Sequence, residues 1–482
     1  MENNRGSFGS NFGFIMAAVG SAVGLGNIWG FPYKMGTHGG FAFLLIYALL
    51  AIFVGLAVLL GEMALGRKTG QSPVGAYKAM AEKYAWIGFL SVIAGFAILC
   101  FYLVLGGMVT RYMCGYFLAL FGVNTWGFEG AEIANFFGSF ICDGPTMMIY
   151  FAVFTLANII IIAAGVGGGI EKFCKYAMPA LFVMLLVVLI YVAVQPGAGD
   201  GYKFMFGFEN AGMLKTDFFK VLKTAAGQMF FSLSLGMGVM ITYGSYLSKQ
   251  ESLQKNAVIV VICDTLIAIM AGMVVMPACF AFGVDPGSGP GLLFKSMQVV
   301  FYNMGGFIGN LMGFLFYFLV FIAALSSSFS ILEGLTAYHV DKNIAAGKAP
   351  GRKKACIIMS IIIFIVGSVV ALDGLGSGLA GGATIPYPAE LLGIEPHTWS
   401  ADWLDFFDMI SEGVMMPLGA LLLSILIGWV WKLDFVINEC EESGKKFWGH
   451  AFFQICYKFI TPVGMVFVLL AQADDFFNLG IF

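Results

Sequence analysis

Two stretches of the chain combine glycines and small residues in a way that suits backbone chemistry. Residues 20–27 read GSAVGLGN, and residues 231–238 read FSLSLGMG. Each places a small residue, Ala22 or Ser234, two positions before a Gly-x-Gly within an apolar segment. A helix broken there frees N–H groups, which favour a carboxylate, and carbonyl oxygens, which favour a small hard cation. The alternative is that the small residues only allow close helix packing.

The side chains that could complete such a site carry oxygen ligands. Asn27, Ser232 and the run Ser326–Ser328 offer amide and hydroxyl oxygens within apolar segments. No set of Cys and His residues suits a transition metal, so oxygen ligands alone point to an alkali cation. The nine cysteines are scattered without a CxxC pair and are interpreted as small packing residues.

Four acidic residues within or near apolar segments separate into two pairs. Asp264 and Glu62 lie deep in such segments, where an ionisable group is costly and is a functional candidate by default. Asp264 would put a negative charge beside a cation, and Glu62 could accept freed N–H groups of the first broken segment. Glu333 and Glu412 lie nearer the segment ends, so we expect them on a solvated face.

The composition of the chain indicates that these residues lie in a membrane protein. Of 482 residues, 60% are hydrophobic and 11% are charged, whereas an ordinary soluble domain has about 25% charged residues. The composition disfavours a soluble enzyme, a nucleic-acid binder and a disordered scaffold. The formal net charge of −3 also gives no basic surface for nucleic acid. The class of protein that fits this composition is a polytopic membrane protein in the lipid bilayer.

Continuous apolar runs of about 20 residues predict membrane-spanning helices rather than a barrel. Eleven such spans are expected, at 11–34, 41–66, 86–121, 145–164, 172–195, 215–247, 256–282, 304–340, 355–373, 402–432 and 449–473. The apolar segment 290–301 is too short to span and predicts a re-entrant or surface helix. We expect a single transmembrane domain over 1–482.

Lysine and arginine collect in alternate loops, which predicts that those loops and the N-terminus are cytoplasmic. With eleven spans, the C-terminus then lies outside a plasma (inner) membrane. The two glycine-rich segments are five spans apart and run in opposite directions. This pattern indicates an inverted repeat with discontinuous first and sixth helices. Repeat one is expected at about 11–195, repeat two at about 215–432 and an extra helix at about 449–473.

No enzyme motif accompanies these features. HExxH, GxxxxGK[ST] and DxDxDGx5E are all absent from the sequence. A binding site at the membrane midplane favours a transporter. An ion channel would need a continuous polar lining, and a non-transporting amino-acid sensor would need a signalling domain; neither is visible.

Three motifs in order resemble the sodium-coupled neurotransmitter and amino-acid symporters, which have the LeuT fold. They are GSAVGLGNIWGFP at 20–32, GQMFFSLSLGMG at 227–238 and AALSSS at 323–328. The eleven predicted spans look like the bacterial branch that lacks a twelfth helix. The resemblance implies an all-α polytopic transporter that imports an amino acid with Na+. Coupling to protons through Glu62 and Asp264 is the nearest alternative within transport.

The resemblance implies two sodium sites. The first would use the Ala22 carbonyl, Asn27, Ser232 and Asp264, together with the substrate carboxylate. The second would use residues of the first and eighth spans, namely Gly20, Val23, Ala323, Ser326 and Ser327.

The resemblance also implies a substrate site at the breaks. Amine transporters of the family carry an acid where this chain has Gly24, so Gly24 points to an amino acid. Its carboxylate would meet the N–H groups of Leu25 and Gly26 and the Tyr102 hydroxyl. Ala22, Ser232 and Ser327 would border the site, and the side-chain pocket would be Ile98, Phe231, Ser234, Met237 and Ile331. This apolar pocket favours a hydrophobic or aromatic amino acid.

Asp264 occupies a position where many relatives have Asn and where chloride-dependent relatives bind an anion nearby. Because Asp264 supplies the negative charge and Ala268 offers no chloride ligand, the resemblance implies chloride independence.

The gates of the family carry over with two departures. Asp408 would be the outer gate acid, but its usual arginine partner is Gly30 here, which puts the outer salt bridge in doubt. The inner gate would consist of Arg5, Phe8, Tyr246 and Asp341, with Phe8 in place of a usual Trp. Gly169 and Pro179 resemble a motif for unwinding of the fifth helix; an ordinary helix start and kink is the alternative.

Overall fold

The computed structural model describes residues 5–287, 291–375, 385–397, 399–477 and 479–481, and within them the chain is helical without a β-strand. In chain order the spans are α1 (Asn11–Ala22 and Gly26–Thr37), α2 (Phe41–Thr69), α3 (Glu82–Ala119), α4 (Gly144–Ala163), α5 (Val166–Ala193), α6 (Phe218–Ser232 and Val239–Gly244), α7 (Leu253–Phe282), α8 (Gly306–Ala345), α9 (Arg352–Leu372), α10 (Trp403–Val430) and α11 (His450–Phe477).

Each predicted span overlaps one of these helices. Nine helices in the described part of the chain are long and apolar enough to cross a membrane, and α1, bent by 50° at its break, makes ten if counted as one span. The two halves of α6 have 15 and 6 residues, and neither is long enough to span alone. The all-α membrane architecture is confirmed, whereas the count of eleven and the inverted repeat stay predictions.

The apolar segment expected at 290–301 forms a short helix that does not span. It consists of a wide π-helical turn, Leu292–Ser296, followed by Met297–Met304; position 290 lies outside the described residues. Two tyrosine hydroxyls hold it to the bundle, because Tyr112 of α3 donates to the Phe294 carbonyl and Tyr317 of α8 to the Leu293 carbonyl.

Several spans begin at a side chain that accepts an otherwise unpaired helix N–H group. Ser10 accepts the Gly13 N–H at the start of α1, 3.0 Å away. Asp143 and Asp402 cap α4 and α10 in the same way. These capping residues mark the helix starts near the predicted positions.

The two broken helices lie at the centre of the bundle. α1 packs against α5, α7 and α8, and both halves of α6 pack against α2. Because helices surround each break, its backbone groups face protein, which is the condition for irregular backbone at membrane depth.

The two breaks have different physical causes. In α6, Ser234, Gly236 and Gly238 have φ values of +54°, +80° and +74°, a left-handed backbone that glycine adopts most readily. In α1, the absence of a side chain at Gly24 lets Tyr102 of α3 lie close to the backbone. A Cβ on Gly24 would lie 2.5 Å from the Tyr102 hydroxyl oxygen.

Candidate functional site

The breaks of α1 and α6 meet through a hydrogen bond at the centre of the protein. Ser234 donates from its hydroxyl to the Ser21 carbonyl, with 3.0 Å between the oxygens. Val23 is extended rather than helical, with φ −75° and ψ 107°. The two unwound segments therefore form one polar region inside an apolar bundle.

Asp264 lies beside this region and collects three polar side chains. The Asn27 amide nitrogen lies 2.7 Å from Oδ1 of Asp264, and the Ser232 hydroxyl lies 2.9 Å from Oδ2. Tyr47 of α2 donates to Ser232 at 3.1 Å and to Asp264 at 3.3 Å. The Gly24 N–H donates to the Asn27 amide oxygen at 3.0 Å. Asn27, Ser232 and Asp264 thus lie in contact, and their role as a sodium site stays a prediction.

Tyr47 is the member of this cluster that the sequence did not reveal. It is fully buried in α2, and a buried tyrosine hydroxyl needs a hydrogen-bond partner. A lone Tyr in a run of Leu, Ile and Ala was the available signal, but it does not say which helix provides the partner.

A small enclosed cavity of about 10 Å³ lies between the two breaks. It is lined by Ala22, Gly24, Gly26, Tyr102, Phe231, Ser234, Met237, Ser327 and Ile331. All nine belong to the predicted substrate site. The Tyr102 and Phe231 rings, 6.3 Å apart between centroids, both border the cavity.

Three predicted substrate residues do not line this cavity. Ile98 is fully buried within α3, and the Ser232 hydroxyl is turned to Asp264. Leu25 donates its N–H to the Tyr102 hydroxyl at 2.9 Å. That donation places a backbone N–H and a hydroxyl next to each other at one edge of the cavity, where both could meet a carboxylate.

The three consecutive serines of α8 contact two different helices, α1 and α4. A Cβ on Gly20 would lie 3.2 Å from Cβ of Ser326, and one on Gly24 would lie 3.0 Å from Cβ of Ser327, so both serines face α1. Val23 and Ala323 are fully buried in the same two helices. Ser328 instead donates to Asn158 of α4 at 2.8 Å. Of the three serines first considered as ligands, Ser328 therefore faces away from α1.

Glu62 of α2 is buried at the break of α6 rather than α1. Its Oε1 accepts the Gly236 N–H at 2.7 Å, so the expectation that it serves the first broken helix is wrong. The left-handed turn at Gly236 points this N–H at α2, and a sequence does not specify that direction. The second oxygen of Glu62 is buried without a hydrogen-bond partner among the described residues.

Lys34, one turn after Gly30 in α1, forms an ion pair with α10 near the predicted outer gate residue Asp408. Its ammonium lies 2.8 Å from Oε1 of Glu412, and Asp408, one turn earlier in α10, lines the same cavity. The Gln228 side chain approaches Gly30: a Cβ there would lie 2.9 Å from Oε1 of Gln228. Glu412 is 8% exposed, so its expected solvated position is wrong, because it is paired with a lysine of another helix.

These outer residues line an open cavity of about 260 Å³ above the enclosed one. Lys34, Asp408 and Glu412 contribute to it, and so does Lys223, which lies 2.6 Å from Asp475.

The four residues predicted to form the inner gate lie together. An Arg5 guanidinium nitrogen lies 3.0 Å from Oδ2 of Asp341, and the guanidinium also lies 5.2 Å from the Tyr246 ring centroid. Phe8 packs edge-on against Tyr246 with 6.2 Å between centroids. Arg5 also donates to the Gly70 carbonyl at the end of α2.

A second ion pair, which the sequence did not reveal, lies next to this group. Arg352 of α9 contacts Glu333 of α8 at 2.6 Å, and Tyr246 donates to the same carboxylate at 2.6 Å. Arg352 also donates to the Arg5 carbonyl at 2.6 Å. Glu333 is fully buried, so its expected solvated position is wrong; the partner is supplied by another helix.

The start of α5 carries the Gly169 and Pro179 motif. Gly169 lies in a wide π-helical turn, Val166–Glu171, and Pro179 lies inside the regular helix that follows. Glu171 in this turn accepts the Gly9 N–H at 2.6 Å and the Ser10 hydroxyl at 3.0 Å. The segment is helical here and is tied to the first turn of α1; its unwinding stays a prediction.

Comparisons with known proteins agree with this geometry. Residues 5–126 and 144–377 match the sequence profile described as the Sodium:neurotransmitter symporter family. An uncharacterized sodium-dependent transporter, YhdH, of Bacillus subtilis is 33% identical, covering 97% of this chain and 98% of its own. An uncharacterized sodium-dependent transporter of Haemophilus influenzae is 31% identical, and the alignment covers 98% of this chain and 99% of that protein. The crystal structure of MhsT in complex with L-phenylalanine is similar with a TM-score of 0.83 and 35% identity, covering 97% of this chain and 100% of that one.

Proposed function

Because this chain belongs to the sodium:neurotransmitter symporter family of sodium-dependent transporters, we propose that it imports a hydrophobic or aromatic L-amino acid together with Na+. The observation that carries the proposal is the position of Asp264. Its carboxylate, Ser232 and Asn27 form an oxygen-rich cluster beside the enclosed cavity between the two helix breaks.

The first sodium ion would replace the amide hydrogens of Asn27 as the partner of Asp264. The cluster offers carboxylate, hydroxyl and amide oxygens, the donors that a hard cation prefers. The second ion would lie between α1 and α8, at Gly20, Val23, Ala323, Ser326 and Ser327. In support of that site, Ser326 and Ser327 face α1. Both ions are co-transported cargo, and both leave with the substrate.

The amino acid would place its carboxylate at the Leu25 N–H and the Tyr102 hydroxyl. None of the described residues that line the cavity is acidic, so the substrate carboxylate would add a second negative charge, beside that of Asp264, to the surroundings of the sodium ion. Because substrate and ion then share one charged shell, each raises the affinity of the other, typically by about 1–3 kcal/mol.

The side chain of the substrate would lie against Phe231, Met237 and Ile331. Methionine is unbranched and adapts to different shapes, which suits a bulky aliphatic or aromatic side chain. MhsT, which is similar over nearly the whole chain, was crystallised with L-phenylalanine. We propose chloride independence, because Asp264 carries the negative charge and Ala268 offers no anion ligand.

Alternating access would proceed by opening one gate while the other stays closed. The outer pair Lys34–Glu412 and the inner pair Arg5–Asp341 are both formed here, around an enclosed cavity. Opening of the outer pair would admit Na+ and substrate from outside the plasma (inner) membrane. Opening of the inner group would release them into the cytoplasm, where we place the N-terminus; the C-terminus lies outside.

The test is thermal stabilisation of the purified protein by each of the twenty amino acids, in Na+ and in K+. A ligand that binds only the folded state raises its apparent stability. We expect a shift with Trp, Tyr, Phe or Leu only in Na+. Shifts that depend on pH but not on Na+ would indicate proton coupling instead.

Uptake into proteoliposomes separates transport from sensing. With Na+ outside and K+ inside, the stabilising amino acid should accumulate, and dissipating the Na+ gradient should abolish accumulation. Na+-dependent binding without accumulation would indicate a sensor that does not transport.

A further inference from the structure

A basic cavity lies between the end of α10 and the start of α11, remote from the substrate site. It measures about 240 Å³ and includes Lys432, Lys458, His450 and Gln454 among its lining residues. Asp434 is the one acid among the described residues that line it. The described lining therefore holds two lysine side chains and one aspartate side chain.

The surroundings place this cavity at the level of the membrane surface. Trp429 and Trp448 are 58% and 55% exposed at the facing ends of the two helices. Exposed tryptophans next to lysines are typical of the membrane–water interface. The nearby lysines Lys445 and Lys446 are exposed in the connecting loop, on the side predicted to be cytoplasmic.

Trp429 contacts Lys458, and Lys432 has an unusual backbone conformation. The indole N–H of Trp429 donates to the Lys458 carbonyl at 3.3 Å, and the Lys458 ammonium lies 5.7 Å from the Trp429 ring centroid. Lys432 follows α10 with φ +63°, a left-handed backbone that costs a lysine about 1 kcal/mol or more. A glycine or asparagine is usual in this conformation, so a lysine lines the cavity here despite backbone strain.

A stripe of exposed apolar side chains runs from the cavity along α11. Its members are Ile455, Phe459, Val463, Val466 and Leu470, all 45–69% exposed. Their spacing of three and four residues places them on one helix face. A hydrocarbon chain on this stripe would therefore end in the basic cavity.

We propose that this cavity binds the headgroup of an anionic phospholipid, with Lys432 and Lys458 on the phosphate and an acyl chain along the stripe of α11. Basic pockets between helices at the membrane surface recognise such headgroups. The stripe selects a lipid over a free anion, because only a lipid contacts both features.

The test is native mass spectrometry of the full-length protein in detergent, titrated with phosphatidylglycerol or with phosphatidylcholine of the same acyl chains. Phosphatidylglycerol should bind more tightly. Replacing each lysine in turn, as Lys432→Gln and Lys458→Gln, should weaken its binding by about fivefold per charge. Asp434→Asn should strengthen binding, because it removes the opposing charge.

The matched control is Lys348→Gln, which removes one exposed positive charge from a different loop on the side predicted to be cytoplasmic. It should leave phosphatidylglycerol binding unchanged. Equal weakening by Lys348→Gln, or equal binding of phosphatidylcholine, would overturn the site. Inorganic phosphate that competes at the same concentration as the lipid would overturn the assignment to a lipid.

Discussion

The ammonium of Lys34 and the carboxylate of Glu412 lie 2.8 Å apart and join α1 to α10 one helical turn after Gly30. A lysine one turn further along α1 reaches α10 at a position one turn further along that helix than Asp408. An ion pair therefore joins α1 to α10 although position 30 carries no side chain, and we propose that this pair closes the outer pathway.

Lys34→Met should speed the escape of bound amino acid to the outside. The side chains of Lys34 and Glu412 are 23% and 10% exposed, so we place the pair between exposed and buried ion pairs, at about 1–2 kcal/mol. That corresponds to dissociation about 5–30 times faster. The measurement is release of radiolabelled amino acid on dilution in Na+ buffer.

Two variants make this result specific to the ion pair. Lys34→Arg should keep release slow, since it retains the charge. Lys223→Met removes a positive charge from the same cavity without touching Glu412 and should also leave release slow. Fast release in Lys223→Met, or slow release in Lys34→Met, would show that Lys34 does not hold the outer pathway closed.

Asp264→Asn should raise the Na+ concentration needed for amino-acid binding by at least about tenfold, which is roughly 1.4 kcal/mol. The substitution keeps the size of the side chain and removes the charge that the cation meets. The measurement is the Na+ dependence of the amino-acid thermal shift. In the parent protein, replacing chloride by gluconate should change nothing.

Asp200→Asn is the matched control, because Asp200 is an exposed acid paired with Lys203 outside the spans. It should leave the Na+ dependence intact. If Asp264→Asn binds amino acid at unchanged Na+ concentrations, Asp264 is not part of a sodium site.

Gly24→Ala should weaken amino-acid binding by at least about tenfold, roughly 1.4 kcal/mol. The added Cβ would lie 2.5 Å from the Tyr102 hydroxyl and 3.0 Å from Cβ of Ser327, so it pushes on both walls of the cavity. Gly24→Asp should abolish binding, since it puts a second carboxylate where the substrate carboxylate belongs. Isothermal titration in Na+ measures both.

Gly199→Ala serves as the control for a glycine substitution, because a Cβ there meets nothing within 4 Å. Its affinity should match the parent protein. An unchanged affinity in Gly24→Asp would mean that the carboxylate binds elsewhere.

The sequence predicted the parts of the site that lie on one helix or that carry a chemical signature. The Gly-x-Gly of α6 predicts its break because glycine adopts a left-handed turn most readily. Asp264 could be identified as a candidate because a charge in an apolar span is costly. The three family motifs predicted the residues around the cavity. Residue type and position along the chain were sufficient to predict the α6 break, Asp264 and the cavity residues.

The ion pairs between distant helices could not be predicted in the same way. Lys34 and Glu412 are 378 positions apart, and their meeting depends on how α1 and α10 are rotated about their axes. Glu333 and Glu412 lie near helix ends, where hydropathy alone favours solvent; burial follows only once a lysine or arginine from another helix is placed beside them. The same applies to Glu62, whose partner depends on which way the Gly236 N–H points.

Arg352→Met should destabilise the protein by about 3 kcal/mol or more, because it leaves the buried carboxylate of Glu333 without its positive partner. Glu333 is fully buried and Arg352 is 15% exposed at the side chain, so water cannot replace the lost contact. The double variant Glu333→Gln with Arg352→Met removes both charges and should recover most of the loss. The measurement is the melting temperature in detergent without ligand. If the double variant melts as low as Arg352→Met, the destabilisation comes from lost arginine packing rather than from an unpaired buried charge. In that case the ion pair is not what connects α8 and α9 to Tyr246 at the predicted inner gate.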